Sequence, residues 1–244
     1  MLNKDLISFL KKNKKNILKS RIICIGDIIL DHYINGVVER MSPEAPVPIL
    51  TMESQKYQIG GAGNVARNIS SMGAKTTLIS LSGNDLSSIK IKNLLKKDKN
   101  IKSFSINVHN FKTPIKTRLV KKEEHLLRVD NEDTNFKLPN KYKLLVIKRL
   151  KKEIKNNDLI VLSDYNKGLL DQDLIKRIVK ISIQYNKIII ADPKKINLSS
   201  YSGANIITPN QKEITDSAKK KSLNEKSLII FAKDIIKKYR IKNL

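Results

Sequence analysis

Short apolar runs rich in Ile, Val and Leu recur along this chain, and longer stretches with apolar residues at helical spacing lie between them. The strand candidates are RIICIGDIIL (21–30), KTTLISLSG (75–83), IKSFSINV (101–108), DLIVLSDY (158–165), KIIIADP (187–193) and ANIITPN (204–210). NVARNISSMG (64–73) sets Val65, Ile69 and Met72 at helical spacing and ends at Gly73, a good C-terminal stop. SSIKIKNLLKKDK (87–99) and DQDLIKRIVKISIQYN (171–186) are further helix candidates. This alternation predicts parallel strands joined by right-handed helical crossovers, an α/β layered fold with a mostly parallel central sheet.

Two stretches break the rhythm. Residues 32–59 contain prolines and alternating polar and apolar residues without a helical period, and 112–130 alternates like a hairpin. Both fit a small antiparallel sheet standing off the main one as a lid. MLNKDLISFLKKNKKNILKS has the pattern of an amphipathic helix. The expected organisation is a helical extension over 1–20 and one domain over 21–244, with lid segments near 32–59 and 112–130.

Composition narrows the function classes. A hydrophobic content of 40% in 244 residues suits a globular core, and no run approaches the ~18–20 apolar residues of a membrane-spanning helix. The N-terminal stretch has charges throughout and no small-residue cleavage site, so no signal peptide is expected. Cys24 is the only cysteine, which excludes an internal disulfide, suits a reducing cytoplasm, and in RIICIG reads as a small core residue. The net charge of +25 would attract a phosphate backbone. The lysines are strewn along the chain, however, aromatic residues are only 5% and tryptophan is absent, so stacking platforms are poorly supplied. Nucleic acid is therefore not the expected partner, nor is a membrane; the expectation is a solvated lysine surface that favours anionic small molecules.

In open α/β sheets ligands bind beyond the carboxyl ends of the strands. Those ends are polar here: Asp27 and Asp31, then Ser163 and Asp164, Asp192, and Asn210. A single Asp at such a position is commonly a helix cap or turn former; several on one sheet edge point to a site. QIGGAGNVARNI (58–69) adds bare backbone at Gly60 and Gly61, fit for a tight turn, for close approach of a phosphate, or for a neutral polar ligand. Its spacing matches neither the dinucleotide fingerprint nor a Walker loop. His32, His109 and His125 lack zinc-site spacing, and no direct metal ligand is expected. His32, beside Asp31, is a candidate lid contact to ligand.

GDIILD (26–31), SPEAPVPI (42–49), GGAGNVARNI (60–69), LSDYNKG (162–168), ADPK (191–194) and TPNQKE (208–213) occur in an order and spacing that resembles the ribokinase-like (PfkB) carbohydrate kinases. SPEAPVP and LSDYNKG favour the branch that phosphorylates D-glycero-D-manno-heptose 7-phosphate at C1, in ADP-heptose synthesis. The resemblance, over about residues 20–244, implies a mostly parallel sheet, a β-lid that often serves as a homodimer clasp, and ATP with Mg²⁺ as cofactors. It also implies that Asp31 binds sugar hydroxyls, with Gly60, Gly61 and Asn64 shaping the same pocket. Asp27 is then either a second sugar contact or a turn residue. Asp164 and Lys167 lie at a third sugar-facing strand end. Lys116, Arg118 and Arg128 are candidates for a cationic clamp on the sugar phosphate, or plain surface charge. Asn210 and Glu213 match an N-x-x-E motif that orders magnesium-bound water, a task suited to a hard oxygen ligand.

Members of that family continue into a D-T-x-G-A-G-D segment whose glycines form an anion hole and whose last aspartate is the general base. The sequence ends at KKYRIKNL (237–244), about where the preceding strand is expected to begin. No catalytic base is therefore assigned in this chain, and a second chain is a candidate supplier of that part. Base catalysis commonly contributes ~10²–10⁴-fold, so weak kinase activity is expected of the chain unaided. The alternatives are a non-catalytic sugar-phosphate-binding protein and a basic nucleic-acid-associated protein.

Overall fold

A computed structural model describes residues 4–194, 197–219 and 224–244. After helix α1 (Lys4–Lys19) the chain enters β1 (Arg21–Gly26), the inner strand of a six-stranded sheet. The other strands are β4 (Lys75–Ser82), β5 (Ile101–Asn107), β8 (Leu159–Ser163), β9 (Ile188–Asp192) and β10 (Ile206–Ile207). Their order is β10-β9-β8-β1-β4-β5, and every neighbouring pair is parallel. Asn243 makes a further parallel bridge to Ile206.

Helices cover both faces, which explains why β1 is an unbroken apolar run. Ile23 and Ile25 face α4 (Asn140–Glu153) and α5 (Gln172–Gln184), packing with Val146, Leu150, Leu174 and Ile178. Cys24 points the other way, to α2 (Ala62–Ser71) and α3 (Leu86–Leu95), in a cluster with Ala62, Ala66, Leu78, Ile91 and Leu95. Cys24 is wholly buried, and burial pushes its thiol pKa up to about 12, as fits a core residue. Gly73, at φ 97°, stops α2 as the sequence predicts, but Met72 faces solvent rather than the core. Three helices lie where the periodicity gave no sign of them: α4, α6 (Gln211–Ser217) and α7 (Glu225–Tyr239). In α4 the buried Val146, Leu150 and Glu153 have helical spacing, but exposed Leu144 and Leu145 blur it.

The lid is β2 (Ile28–Met41), β3 (Pro48–Gly61), β6 (Ile115–Lys121) and β7 (Glu124–Asn131), ordered β3-β2-β6-β7. Two expectations are corrected here. The lid begins at Ile28 rather than 32, because only Asp27 separates it from β1. It is also mixed rather than antiparallel, since β2 and β6 run parallel. Both strands leave the core at the same root, where the Leu30 N–H donates to the Pro114 carbonyl at 2.8 Å. The β6–β7 turn holds Lys122 and Glu123 at φ 45° and 72°, a pair of left-handed residues that matches the twist of a tight hairpin.

Candidate functional site

Asp27 sits where the core strand becomes the lid, 4% exposed. Its carboxylate accepts three backbone N–H groups from the loop after β8: Tyr165 at 2.9 Å, Lys167 at 3.0 Å and Leu169 at 3.0 Å. Its own carbonyl accepts the Ala62 N–H at 2.8 Å. The side chain is a tether that moulds the LSDYNKG loop around one carboxylate. An acceptor-only group with several lone pairs suits that loop of converging donors.

Four residues further on, Asp31 Oδ1 accepts from Arg118 Nη1 at 2.7 Å, both side chains being less than a fifth exposed. Among the described residues nothing donates to Asp31 Oδ2. That oxygen lies over Gly60, where a β-carbon would stand only 2.2 Å from it. The bare backbone of GGAGN thus makes room for the chain's own groups: Gly60 for the Asp31 carboxylate, Gly61 for the Asp27 carbonyl, again 2.2 Å from a β-carbon. Gly61 is also at φ 58° and stands as the N-cap of α2, with Asn64 exposed in the first turn.

Register settles which lid residues share a face. Arg118 pairs with Tyr33 on one side and Arg128 on the other, and Lys116 pairs with Asp31 and Asp130. Asp31, Lys116, Arg118 and Arg128 therefore project from one face. Arg128 is the outermost, exposed and bound bidentately to Asp130 at 2.9 and 3.1 Å. His32 is on the opposite face: its ring stacks on Tyr57 with centroids 4.2 Å apart, and its nitrogens meet Thr117 Oγ1 and Gln55 Oε1. The expectation that His32 joins Asp31 at a ligand is corrected, because successive side chains in a strand alternate.

The β8 loop carries the other candidates. Asp164 is fully buried; its carboxylate accepts the Asn166 N–H at 2.7 Å and the Tyr201 hydroxyl at 2.8 Å. It lies beneath the strand-end surface. Lys167, mostly buried, is ion-paired with Glu132 at 2.5 Å, just past β7, so it ties the loop to the lid. Tyr165, which the sequence gave no reason to single out beyond its place in LSDYNKG, is half-buried between the two halves of the site. Burial raises its pKa most, the charges of Asp192 and Asp31 raise it further, and Lys194 opposes them.

Asn210 and Glu213 form a capping box at the start of α6. The Glu213 N–H donates to Asn210 Oδ1 at 2.9 Å, and the Asn210 N–H donates to Glu213 Oε2 at 2.8 Å. Lys194 Nζ adds a bond to Glu213 Oε1 at 2.5 Å. Asp192, at the end of β9, has its carboxyl pKa raised by burial, with Lys194 opposing and the Glu213 charge assisting. Both Glu213 oxygens are engaged, and among the described residues no group of three His, Cys, Asp or Glu side chains is placed to hold a metal ion. These residues suit Mg²⁺ only through intervening water.

A parallel sheet whose strand ends present carboxylates and lysines beneath a β-lid defines an α/β protein with its polar side chains gathered where such sheets carry their sites. The chain belongs to the pfkB family of carbohydrate kinases, whose family model matches residues 19–244. Its relatives include the bifunctional protein HldE of Granulibacter bethesdensis, 35% identical over 217 residues that cover 89% of this chain and 44% of that one. The Helicobacter pylori bifunctional protein HldE is 37% identical over 195 residues, 80% of this chain and 42% of that one. The chain thus spans less than half the length of these curated relatives. Among solved structures, phosphofructokinase-2 from Escherichia coli superposes with a TM-score of 0.70 at 16% identity, covering 91% of this chain and 72% of that one. An Arabidopsis thaliana ribokinase complexed with ribose and ATP gives 0.60 at 12% identity, over 89% of this chain and 68% of the ribokinase. At these identities the two structures establish the ribokinase-like fold alone. No described helix is long and apolar enough to cross a membrane.

Proposed function

We propose that this chain is the sugar-binding part of an ATP-dependent kinase that phosphorylates D-glycero-D-manno-heptose 7-phosphate at C1, toward ADP-heptose and the lipopolysaccharide core. The observation that carries the reading is Asp31. Its Oδ1 is held by Arg118 and, among the described residues, its Oδ2 is left without a donor over bare Gly60, which is the arrangement needed to accept a sugar hydroxyl. In this reading Asp31, Gly60, Gly61 and Asn64 line the sugar pocket. Arg118, with Lys116 and Arg128 on the same lid face, meets the 7-phosphate. Lys167 closes the pocket from the β8 loop, and Asp164 holds that loop from below. The Asn210–Glu213 pair with Asp192 and Lys194 faces water on Mg²⁺ bound to ATP. Mg·ATP supplies the phosphoryl group and neutralises its charge; the chain's own residues fix the acceptor and exclude water.

The lid also carries the proposed homodimer contact. Leu127 and Val129 are 56% and 51% exposed on the face opposite Asp31, beside Leu119 and Thr117. Leu127→Lys is expected to shift the molar mass in light scattering from dimer to monomer. A second chain that completes the catalytic site remains part of the proposal, tested by co-expression and ATP turnover.

The deciding experiment is calorimetry on the chain as it stands. D-glycero-D-manno-heptose 7-phosphate should bind, and Asp31→Ala should remove one binding component from the heat. Binding that is indifferent to Asp31→Ala would overturn the assignment. Equal affinity for glucose 6-phosphate in the Asp31-dependent component would leave a sugar-phosphate pocket but remove the heptose. Retention on DNA that collapses steeply with salt would instead favour the basic nucleic-acid reading.

A further inference from the structure

On the face of the sheet that carries Cys24 and Leu78, α3 does not fill the space over β4 and β5. The helix leans toward the lid root: Lys90 stands 3.4 Å over the Tyr57 ring, and Ile91 and Leu95 cluster with Ile28 and Ile59. Its other flank stands off the sheet and leaves a groove of about 640 Å³, within the range of small-molecule sites. The floor is hydroxylated: Ser80 and Ser82 from β4, Ser103, Ser105 and Asn107 from β5. The register explains the concentration, since Ser80 pairs with Ser105 and Ser82 with Asn107, so all share one face.

A helix that packs on a sheet usually meets apolar side chains there, and small polar ones leave both a void and unmet hydrogen bonds. Ser105 satisfies itself on Ser82, Oγ to Oγ at 2.7 Å. Ser80 does not: it is 1% exposed, lines the groove, and among the described residues its Oγ has no hydrogen-bond partner. A buried orphan hydroxyl is costly unless something polar enters the groove to meet it. Lys92 on α3 and Lys96 at its C-cap, one turn apart, stand over the same space. The groove adjoins the lid, for Ile28 forms part of its wall and Asp85 caps α3 while also accepting the Thr113 N–H at 2.8 Å.

We propose that this groove is a second ligand site, for a small hydroxylated anion of the sugar-phosphate class. The hydroxyls of the ligand meet Ser80 and its neighbours, and the anionic group lies toward Lys92 and Lys96. The site is separate from the lid pocket and does not depend on the kinase assignment.

The chain has no tryptophan, so Ile89→Trp, at a groove-lining position 55% exposed, gives a single tryptophan at the site that can be excited apart from the tyrosines. Glucose 6-phosphate is the probe, with glucose and inorganic phosphate as separate arms. A saturable emission change is expected with glucose 6-phosphate. In the reporter background Ser80→Val should weaken it by about tenfold or more, and Lys92→Ala with Lys96→Ala should weaken glucose 6-phosphate but not glucose. Asp31→Ala should leave the titration unchanged. The proposal fails if emission does not saturate, or if Asp31→Ala abolishes the change while Ser80→Val retains it. Inorganic phosphate acting alone at the same concentration would reduce the groove to an anion site and overturn the hydroxyl recognition. Should Ser80→Val not fold, the two surface lysine substitutions decide the matter.

Discussion

Arg118 on β6 reaches across to Asp31 on β2, with Nη1 2.7 Å from Oδ1 and side chains 17% and 18% exposed. The pair couples the hairpin to the strand that grows out of the core. A charged hydrogen bond this shielded is worth more than a surface ion pair, and losing one partner leaves the other mostly buried and unmatched. A double-mutant cycle of Asp31→Ala and Arg118→Ala, read by urea denaturation, should give a coupling of about 1–2 kcal/mol. Strict additivity would mean that the pair does not persist in solution.

Gly60 and Gly61 should separate binding from stability. Gly61→Ala meets a backbone carbonyl, that of Asp27, and requires a left-handed β-carbon-bearing residue at φ 58°, so a loss of roughly 2–4 kcal/mol is expected. Gly60→Ala meets only the end of the Asp31 side chain, which can swing aside. It should melt within a few degrees of the parent yet bind heptose 7-phosphate far more weakly. Equal melting temperatures for the two variants would contradict this packing.

Asp27→Asn replaces an acceptor of three N–H groups by an amide that presents donors to some of them. Hydrogen exchange should accelerate selectively at the amides of Tyr165, Lys167 and Leu169, with a global cost of about 2–3 kcal/mol. Uniform acceleration across the sheet would point to general destabilisation instead.

Cys24 governs part of the alkaline limb. Below about pH 9 the thiol is protonated in both states and its full contribution is present; above that, only the unfolded chain releases the proton until the folded value of about 12 is reached. Stability should therefore fall with rising pH by about 1.4 kcal/mol per unit from this group over that window. Cys24→Ala should flatten the slope between pH 9 and 10. A slope unchanged by the substitution would show that the thiol is not shielded as its burial implies. Above pH 10, the buried Tyr201 hydroxyl, whose pKa is raised by burial and by Asp164, adds to the decline in both proteins.

Asn210 distinguishes a helix cap from a magnesium role. Asn210→Ala should cost about 1 kcal/mol by removing the side-chain acceptor for the Glu213 N–H, and Asn210→Ser should restore most of it. If Asn210 also orders water on magnesium, Asn210→Ser should recover stability while leaving Mg·ATP binding weakened. Full recovery of both would leave the cap as its whole role.

What could be read in advance follows from how local each signal is. The apolar run of β1 is visible because helices cover it on both sides, and Gly73 marks the end of α2 by its own backbone needs. The parallel pairing of β2 with β6 left no trace, because it joins Asp31 to Lys116 across more than eighty residues and has no period of its own. Helices α4, α6 and α7 were hidden by lysines and by exposed leucines and isoleucines such as Leu145 and Ile230. At the candidate site, the motifs drew attention to Asp31 and the glycines, and the structure sets the Asp31 carboxylate over Gly60. The use of Asp27 by three amides, the full burial of Asp164 and the placement of Tyr165 depend on how the 164–170 loop closes, which no single segment encodes.

With Asp27 as the only residue between β1 and β2, the lid is a cantilever whose fixed end lies inside the core. Fourteen residues of β2 at about 3.3 Å each give an arm of roughly 46 Å, so a rotation of about 5° at its root would carry the tip about 4 Å. Small adjustments in the three amides that grip Asp27 would thus be magnified at the rim. The loop after β8, far away in sequence, lies one carboxylate away from that root in space.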